Sequence, residues 1–531
     1  MRLKIIKGAL GGLVTLILMS QVFGQASASD PLTEQEKRGK FIYLQGTSPS
    51  GKEIAAFLGD AATELPGSAM TCANCHGFDG RGNPEGGVTP SDITPETLTK
   101  TYGVTHVTGR KHPPYTGRAL EIAITKGLDP AGNKLAGTMP RYWMPREDLA
   151  DLVAYLKRLG RERDPGLTET SIKVGTIIAG QGPLAESGKA AKAALEAYFA
   201  DINARGGIYN RKIELCVAQS TVDPGTTRAA VERFIDGRQI FAMAGTFIAG
   251  ADKEIASLIE DKEVVLVGPS TLYPETGFPL NRHVFYLLSG LKEQAGALVS
   301  FIGDKLKKQN PRLAIAFPDS GAPAGIGEAI EEYSKKRGYN SIIRFGYSRN
   351  QFDAEMIVGK LKEDKADAVF FLGSGQEQAA LIKEAGRTHW APYILIPSSL
   401  AGKEIMDAPL IFTDRIFMSF PMLPSDQTQD GAAEFAELAR NHKLPREHLA
   451  TQIIAYCTAK ILVEGLKLSG SELSREKLIK TLEGLYDFET GLTPRITYGP
   501  NRRIGALGAY VVGIDLTKKQ FVPASGWITP D

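Results

Sequence analysis

The stretch CANCH at residues 72–76 decides how the first part of the chain is interpreted. Its two cysteines, Cys72 and Cys75, are three positions apart, and His76 follows directly. On one helical turn this spacing lets two thiols reach the two vinyl groups of one haem while the adjacent imidazole faces the iron. A redox dithiol does not need the histidine, and a zinc site needs a second ligand pair that does not follow. The motif therefore predicts one covalently attached haem c with His76 as the proximal iron ligand.

The second axial ligand of the iron is expected later in the sequence. Met139 is the best candidate because it follows a polar turn and precedes an amphipathic helix predicted over residues 148–159. Met144 is the rival, although its place just before that helix favours packing against the first turn. His106 and His112 are further candidates, but their polar surroundings, which contain Gly and Pro, favour a surface position or one beside a haem propionate.

Residues 35–160 resemble the small monohaem class I cytochromes c. Three segments carry the resemblance: CANCHGFDGRG at 72–82, GLDPAGNKLAGTMP at 127–140 and EDLADLVAYLKRLG at 147–160. The resemblance implies iron ligation by His76 and Met139 and the transfer of single electrons. Because both axial positions would then be filled by protein, it implies an electron-transfer protein and not an enzyme.

The N-terminal residues 1–28 have the pattern of a secretory signal peptide. A basic start is followed by an apolar run from Gly8 to Met19 and by small residues at 26–28, which is the spacing of a cleavage site. The run is shorter than the ~20 residues that span a bilayer comfortably, so an uncleaved anchor is the less favoured alternative. We therefore predict a periplasmic protein.

The composition restricts the number of domains and the class of partner. A chain of 531 residues predicts about two to four domains. Hydrophobic residues at 43% and charged residues at 23% are typical of globular proteins. The near balance of 62 basic and 60 acidic residues excludes a strong positive field, so no nucleic-acid partner is expected.

The chain is predicted to be multidomain, with a small all-α domain at 29–160, a charged linker at 161–171 and a two-lobed α/β domain at 172–531. In the last region β-branched runs alternate with amphipathic helices, which predicts parallel sheets with right-handed crossovers. The predicted lobes comprise residues 172–290 with 420–500, and residues 291–419 with 501–531.

The region from residue 172 onward resembles the type 1 periplasmic binding proteins, in the leucine/isoleucine/valine-receptor branch. The resemblance is carried by GPLAESG at 182–188, DINARGGI at 201–208, GPST at 268–271 and the pair Phe352-Asp353. It implies two lobes that close on a small organic ligand at the carboxyl ends of the strands. The ligand-binding positions that it implies are Gly182, Pro183, Thr246, Phe247, Ser270, Thr271, Ser320 and Ser398.

The expected ligand-binding residues depart from those of amino-acid receptors. Ser398 or Ser399 stands where that branch has an acidic residue, and its tyrosine is replaced near residues 323–324. An ammonium group that is desolvated without an acidic partner binds poorly. The sequence therefore favours a less charged or aromatic compound, or a carboxylate. A receptor fold that has lost its ligand and serves as a docking scaffold is the alternative.

Three functional hypotheses follow from this domain combination. The first is an electron carrier that exchanges electrons with a periplasmic redox partner, such as a dehydrogenase or oxidase. The second is the solute-binding protein of an ABC-type uptake system with its permease, in which the haem is secondary. The third is a ligand sensor.

The two remaining cysteines, Cys216 and Cys457, have no nucleophile context. They are predicted to be small buried residues, with a disulfide between them as the alternative. The sequence also has no nucleophile elbow, so a hydrolase is not supported.

Overall fold

The computed structural model describes residues 32–530 except 60, 85, 107, 162, 221–223, 308–309 and 320–321. Its contacts divide the chain into two compact units, with the boundary between Arg163 and Asp164. The predicted signal peptide at 1–28 and the candidate residue Ser320 lie outside the described residues.

The first unit is a small helical domain with a few short strands. Its helices are α1 (Glu34–Gln45), α2 (Cys72–His76), α3 (Pro95–Leu98), α4 (Gly117–Lys126) and α5 (Arg146–Leu156). Its strands are β1 (Ala55–Leu58), β2 (Thr63–Pro66), β3 (Val104–Thr105), β4 (Lys111–His112) and β5 (Arg141–Trp143). Strand β1 pairs antiparallel with β2 and β5, and β3 pairs antiparallel with β4. The predicted helical class is confirmed. The short strands were not predicted, because two to four residues are too few to show the alternation of apolar and polar residues that indicates a strand.

Helices α1 and α5 cross at a glycine. A Cβ atom on Gly39 would lie only 2.0 Å from the carbonyl oxygen of Asp151, so the two backbones approach this closely because Gly39 has no side chain. Arg38 donates two hydrogen bonds to the Asp151 carboxylate, at 2.6 and 3.1 Å. The crossing buries the apolar stripe that predicts α5, although the helix begins two residues earlier and ends three residues earlier than predicted.

The predicted linker at 161–171 is shorter in the structure. The carboxylate of Asp164 accepts a hydrogen bond from the backbone N–H of Arg475 at 2.5 Å. Leu167 is buried in the core of the second unit and forms a β-bridge with Ile172. Residues 164–171 therefore fold onto the second unit, because a charged segment with one leucine can still supply a buried anchor.

The second unit alternates strands and helices along most of its length. Its helices are α6 (Ala185–Ala204), α7 (Pro224–Arg238), α8 (Asp252–Asp261), α9 (Leu291–Leu306), α10 (Ala322–Lys336), α11 (Ala354–Glu363), α12 (Gly375–Arg387), α13 (Gln429–Asn441), α14 (Leu449–Leu468) and α15 (Arg475–Glu483). Its strands are β6 (Ser171–Ala179), β7 (Lys212–Ser220), β8 (Ala242–Ala244), β9 (Val265–Val267), β10 (Val284–Leu288), β11 (Leu313–Pro318), β12 (Ile342–Tyr347), β13 (Ala368–Phe371), β14 (Tyr393–Pro397), β15 (Ile416–Phe420), β16 (Ile504–Ala506), β17 (Ala509–Asp515) and β18 (Gln520–Ile528).

These strands form two sheets, one in each lobe. The first has the order β16-β10-β9-β8-β6-β7, and all of its neighbours are parallel. The second has the order β12-β11-β13-β14-β15-β17-β18, in which β17 runs antiparallel to β15 and β18. The predicted α/β class with two doubly wound lobes is confirmed.

One lobe assignment differs from the prediction. Residues 501–531 were expected in the second lobe, but β16 pairs with β10 in the first sheet. The chain then crosses to the second sheet at residues 507–508, immediately before β17. A strand of three residues has no pattern that selects one sheet over the other, and its neighbour is set by where the chain crosses.

Helix α14 lies in the core of the first lobe. By length and composition it is the one helix among the described residues that could cross a membrane, but 67% of its apolar window is buried inside the protein. It packs against α6, with the ring centroids of Tyr198 and Tyr456 5.1 Å apart. Cys457 is buried on this helix and Cys216 is half-buried on β7; both are free thiols, so no disulfide joins them.

Candidate functional site

Cys72, Cys75 and His76 lie on the single turn of α2. The turn begins after Thr71, whose hydroxyl accepts a hydrogen bond from the Asn74 N–H at 3.2 Å. Both thiols are free, and burial raises the pKa of Cys72 to about 12. Because side chains at i and i+3 share one side of a helix, the two thiols face the same way, as attachment to one haem edge requires.

The ring of His76 is held in one tautomer. Its Nδ1 lies 3.0 Å from the backbone carbonyl oxygen of Ser91. A carbonyl oxygen only accepts, so Nδ1 carries the proton and Nε2 keeps its lone pair for a metal. Burial lowers the pKa of His76 and favours this neutral form. Two thiols on one turn and an oriented imidazole are a donor set that fits haem c.

Two buried tyrosines anchor the loop on either side of α2. The Tyr43 hydroxyl donates to the carbonyl oxygen of Gly77 at 2.6 Å, and the Tyr142 hydroxyl donates to that of Met70 at 2.5 Å. Burial raises the pKa of both phenols, and the nearby thiols of Cys72 and Cys75 act in the same direction. Tyr142 therefore brings the segment that follows the predicted distal ligand close to the CANCH turn.

The two candidate methionines have different surroundings. Met144 packs against the buried core of the first unit. Met139 is half-exposed in the turn before β5, where its N–H donates to the Ala136 carbonyl oxygen at 3.1 Å and its own carbonyl accepts from Arg141. Among the described residues, no group of three or more His, Cys, Asp and Glu side chains is arranged to hold a metal ion.

In the second unit, four of the predicted ligand-binding residues meet at the carboxyl ends of β8 and β9. Phe247 and Ser270 form a parallel β-bridge, and the Ser270 N–H donates to the Thr246 carbonyl oxygen at 2.8 Å. Thr246 is fully buried, and the Thr271 hydroxyl donates to Asp252. Phe247 and Thr271 are half-buried and Ser270 is exposed, so the side chains of these three residues are open to contact by a ligand in the cleft.

The other predicted positions lie on neighbouring strand ends. Gly182 and Pro183 are exposed in a 3₁₀ turn that follows β6, next to β8 in the first sheet. Ser398 is half-buried in a 3₁₀ turn that follows β14 in the second sheet. Each is at the carboxyl end of a parallel strand, the edge at which open α/β sheets bind ligands.

An aromatic cluster at the carboxyl edge of the second sheet was not predicted as part of the site. Tyr347 ends β12, Phe371 ends β13, and Phe352 joins them from the following loop. The ring centroids are 5.3 Å apart for Tyr347 and Phe352 and 6.2 Å apart for Tyr347 and Phe371. The sequence feature that pointed to this cluster was the pair Phe352-Asp353. Asp353 caps the N-terminus of α11, and the Phe352 ring packs in the cluster.

Family models match both units of the chain. The model described as "Cytochrome c" matches residues 67–160, and the model described as "Periplasmic binding protein" matches residues 171–520. The chain belongs to the periplasmic binding protein family. This family member also carries a cytochrome c domain, as the CANCH motif predicts.

Known relatives of this periplasmic binding protein agree with the fold of its second unit. The Leu/Ile/Val-binding protein of Escherichia coli K12 is 26% identical over 219 residues, which are 40% of this chain and 58% of that protein. The chain therefore matches less than two thirds of that relative's length.

Two solved structures have the same fold at lower identity. The fatty acid ABC transporter substrate-binding protein from Thermomonospora curvata has a TM-score of 0.53 at 18% identity and covers 69% of this chain and 94% of its own. A branched chain amino acid ABC transporter from Thermus thermophilus with bound valine has a TM-score of 0.53 at 17% identity, with coverages of 68% and 97%.

Proposed function

We propose that this protein is a periplasmic c-type cytochrome that transfers single electrons and carries a receptor module for a small ligand. The observation that carries the proposal is the tautomer of His76, which the backbone carbonyl of Ser91 fixes. His76 lies on the same helical turn as the two free thiols of Cys72 and Cys75. Such an arrangement leaves Nε2 as the only ring nitrogen able to coordinate iron. The protein acts as an electron carrier without substrate turnover.

Four residues of the first unit are proposed to bind one haem. Cys72 and Cys75 would hold the haem through thioether bonds, His76 would supply one iron ligand, and Met139 would supply the other, with Met144 as its rival. When bound, the haem supplies a one-electron couple, and a thioether ligand favours its ferrous form. The partner is a periplasmic redox protein such as a dehydrogenase or oxidase, which the signal peptide at 1–28 allows the protein to meet.

Visible spectroscopy of the exported full-length protein tests this assignment. Denaturation in acid and organic solvent should leave the haem attached in the wild type and release it from Cys72→Ala/Cys75→Ala. Met139→Ala should lose the sulfur-to-iron charge-transfer band while the matched variant Met144→Ala keeps it. Absence of covalent haem from the wild type would refute the electron-transfer function. Loss of the band only in Met144→Ala would assign the role of iron ligand to Met144 instead of Met139.

For the second unit we propose a small, weakly charged or aromatic ligand, or a carboxylate, between the lobes. Phe247 and Ser270 offer an aromatic face and a hydroxyl on one sheet, and the half-buried ring of Phe352, which packs on the buried Tyr347 and Phe371, lies at the carboxyl edge of the other sheet. By the resemblance to amino-acid receptors, Ser398 or Ser399 stands where that branch has an acidic partner for an ammonium group.

Thermal unfolding with aromatic carboxylates and with leucine, isoleucine and valine tests the ligand class. A ligand present at 100 times its Kd should add about 2.7 kcal/mol of stability to the second unit. The stabilisation should be weakened in Phe247→Ala and unchanged in Phe521→Ala, an exposed aromatic residue on the edge strand β18. Stabilisation by the branched-chain amino acids alone would contradict the proposed ligand class.

A second candidate function is the solute-binding protein of an ABC-type uptake system, in which the haem is secondary. The match of residues 171–520 to the periplasmic binding protein family favours it. Uptake of the identified ligand by cells should then require both this protein and an ABC permease. Uptake that is unchanged when the gene is deleted would exclude this candidate.

A further inference from the structure

The hairpin β3–β4 places two histidines beside the partner of His76. The Nε2 atoms of His106 and His112 lie 3.0 Å apart, and the Nδ1 atom of His106 lies 3.4 Å from the Ser91 hydroxyl. The carbonyl oxygen of the same serine accepts from His76. A continuous path of polar contacts therefore runs from the proximal haem ligand through Ser91 to the histidine pair.

The hydrogen-bond partners of the pair locate its protons. Arg110 can only donate, so its Nη2 at 2.9 Å makes Nε2 of His106 an acceptor. His112 Nδ1 lies 2.8 Å from the carbonyl oxygen of Pro113 and must therefore carry a proton. If both rings were neutral, two lone pairs would face each other at 3.0 Å. This repulsion is removed when one additional proton is held on Nε2 of His112 and donated to Nε2 of His106, which then accepts from both His112 and Arg110.

The charged and titratable groups around the pair lie on the β3–β4 hairpin, on the segment between β4 and α4, and in the turn that follows α4. The Arg110 guanidinium pairs with the fully buried carboxylate of Asp129 at 2.8 Å. Tyr115 places its ring against His112, with centroids 4.9 Å apart, and Lys111 is exposed on β4. Burial, and then the charges of Arg110 and His112, lower the pKa of His106, while Asp129 opposes them.

We propose that the His106–His112 pair is a proton-binding site coupled to the haem: it binds the shared proton more tightly when the haem is reduced than when the haem is oxidised. This inference rests on the proposed electron-transfer function. On reduction one electron comes from the external donor and the pair takes up a fraction of a proton from water, so the charge of the added electron is partly compensated. On oxidation the electron passes to the acceptor and the same fraction of a proton returns to water.

The direction and size of the effect follow from the charge on the haem. An oxidised haem carries one more positive charge, which repels the shared proton. A unit charge at roughly 10 Å, with an effective dielectric constant of about 20, changes a proton affinity about tenfold. A tenfold difference in proton affinity between the two oxidation states lowers the midpoint potential by about 59 mV in total as the pH rises and the pair loses its proton.

Redox titration of the full-length holoprotein from pH 5 to 9, with the absorbance of the haem as readout, tests the inference. The wild type should have a midpoint potential that falls with pH, and His106→Gln and His112→Gln should lose most of this dependence. The matched control is His442→Gln, a partly exposed histidine of the second unit that pairs with Asp201 at 2.7 Å, and it should keep the dependence. As a measurement that needs no variant, oxidation of the reduced wild type by ferricyanide in weakly buffered solution should release protons.

The outcomes separate this inference from the function on which it rests. A wild type without covalent haem overturns both. A normal haem spectrum with a pH-independent potential and no proton release overturns the coupling alone. An unchanged dependence in both glutamine variants assigns the proton to another group and also overturns the proposal.

Discussion

Replacement of Tyr43 by phenylalanine tests how the CANCH turn is held in place. The Tyr43 side chain is fully buried, and its hydroxyl donates to the Gly77 carbonyl oxygen at 2.6 Å. Phenylalanine keeps the ring, including its edge-to-face contact with Tyr155 at 5.6 Å, so the change removes a hydrogen bond with little change in packing. Without the hydroxyl, the buried Gly77 carbonyl keeps only the long hydrogen bond from the Gly80 N–H at 3.4 Å, and we expect Tyr43→Phe to destabilise the first unit by about 1–3 kcal/mol.

Two other tyrosines calibrate the result. The bond from Tyr142 to Met70 is only partly buried, so Tyr142→Phe should cost less, about 0.5–1.5 kcal/mol. Tyr102 is 85% exposed, and Tyr102→Phe should change stability by less than about 0.5 kcal/mol. Guanidinium unfolding of the full-length holoprotein, followed by haem absorbance, reports the first unit alone, and the shift of the midpoint multiplied by the slope gives the change in free energy.

The order of the three effects is the critical result. A loss of 1.4 kcal/mol increases the unfolded fraction about tenfold, which this measurement resolves easily. If Tyr102→Phe destabilises as much as Tyr43→Phe, or if Tyr142→Phe destabilises more, the argument from burial of the carbonyl is refuted.

Three further predictions concern stability. Gly39→Ala should destabilise the first unit by about 1–3 kcal/mol, because the added Cβ would meet the backbone of α5. Gly359→Ala on α11, where the added Cβ would meet open space, should not destabilise the second unit. Urea unfolding of each variant measures both effects. Arg475→Met should destabilise the second unit by about 3 kcal/mol or more, since the buried guanidinium donates to three backbone carbonyls, and an unchanged midpoint in calorimetry would contradict this. Burial lowers the pKa of His283 from 6.5 to about 4, so the unfolded chain binds more protons between these values and stability should fall as the pH drops from 6.5 towards 4, by on the order of 3 kcal/mol in full. His283→Gln should flatten this part of the stability–pH curve, and an equally steep curve in the variant would show that another group is responsible.

The fold class could be predicted because its signals are local or periodic. The haem motif occupies five consecutive residues, and the apolar stripe of α5 repeats over about three turns. The alternation of strands and helices after residue 172 is likewise visible at the scale of single elements. Such patterns survive in the sequence because each element must bury one face wherever it is placed.

The candidate ligand cleft was predicted at the level of strand ends and not of side chains. Thr246, Phe247, Ser270 and Thr271 do meet, but the Thr246 side chain is fully buried, and the Thr271 hydroxyl donates to Asp252. The sequence cannot separate a hydroxyl that faces a ligand from one that satisfies its own chain. The aromatic cluster was missed because its members come from three segments of the second lobe.

By itself, the sequence determined the order of the domains, the place of the CANCH turn and the two classes of fold. The tertiary structure decided that Ser91 orients His76, that His106 faces His112, and that β16 joins the first sheet. The difference has one physical cause. Spacing on a single turn is set by the geometry of the backbone, whereas hydrogen-bond partners and strand neighbours depend on which distant segments the folded chain brings within about 3 Å of one another.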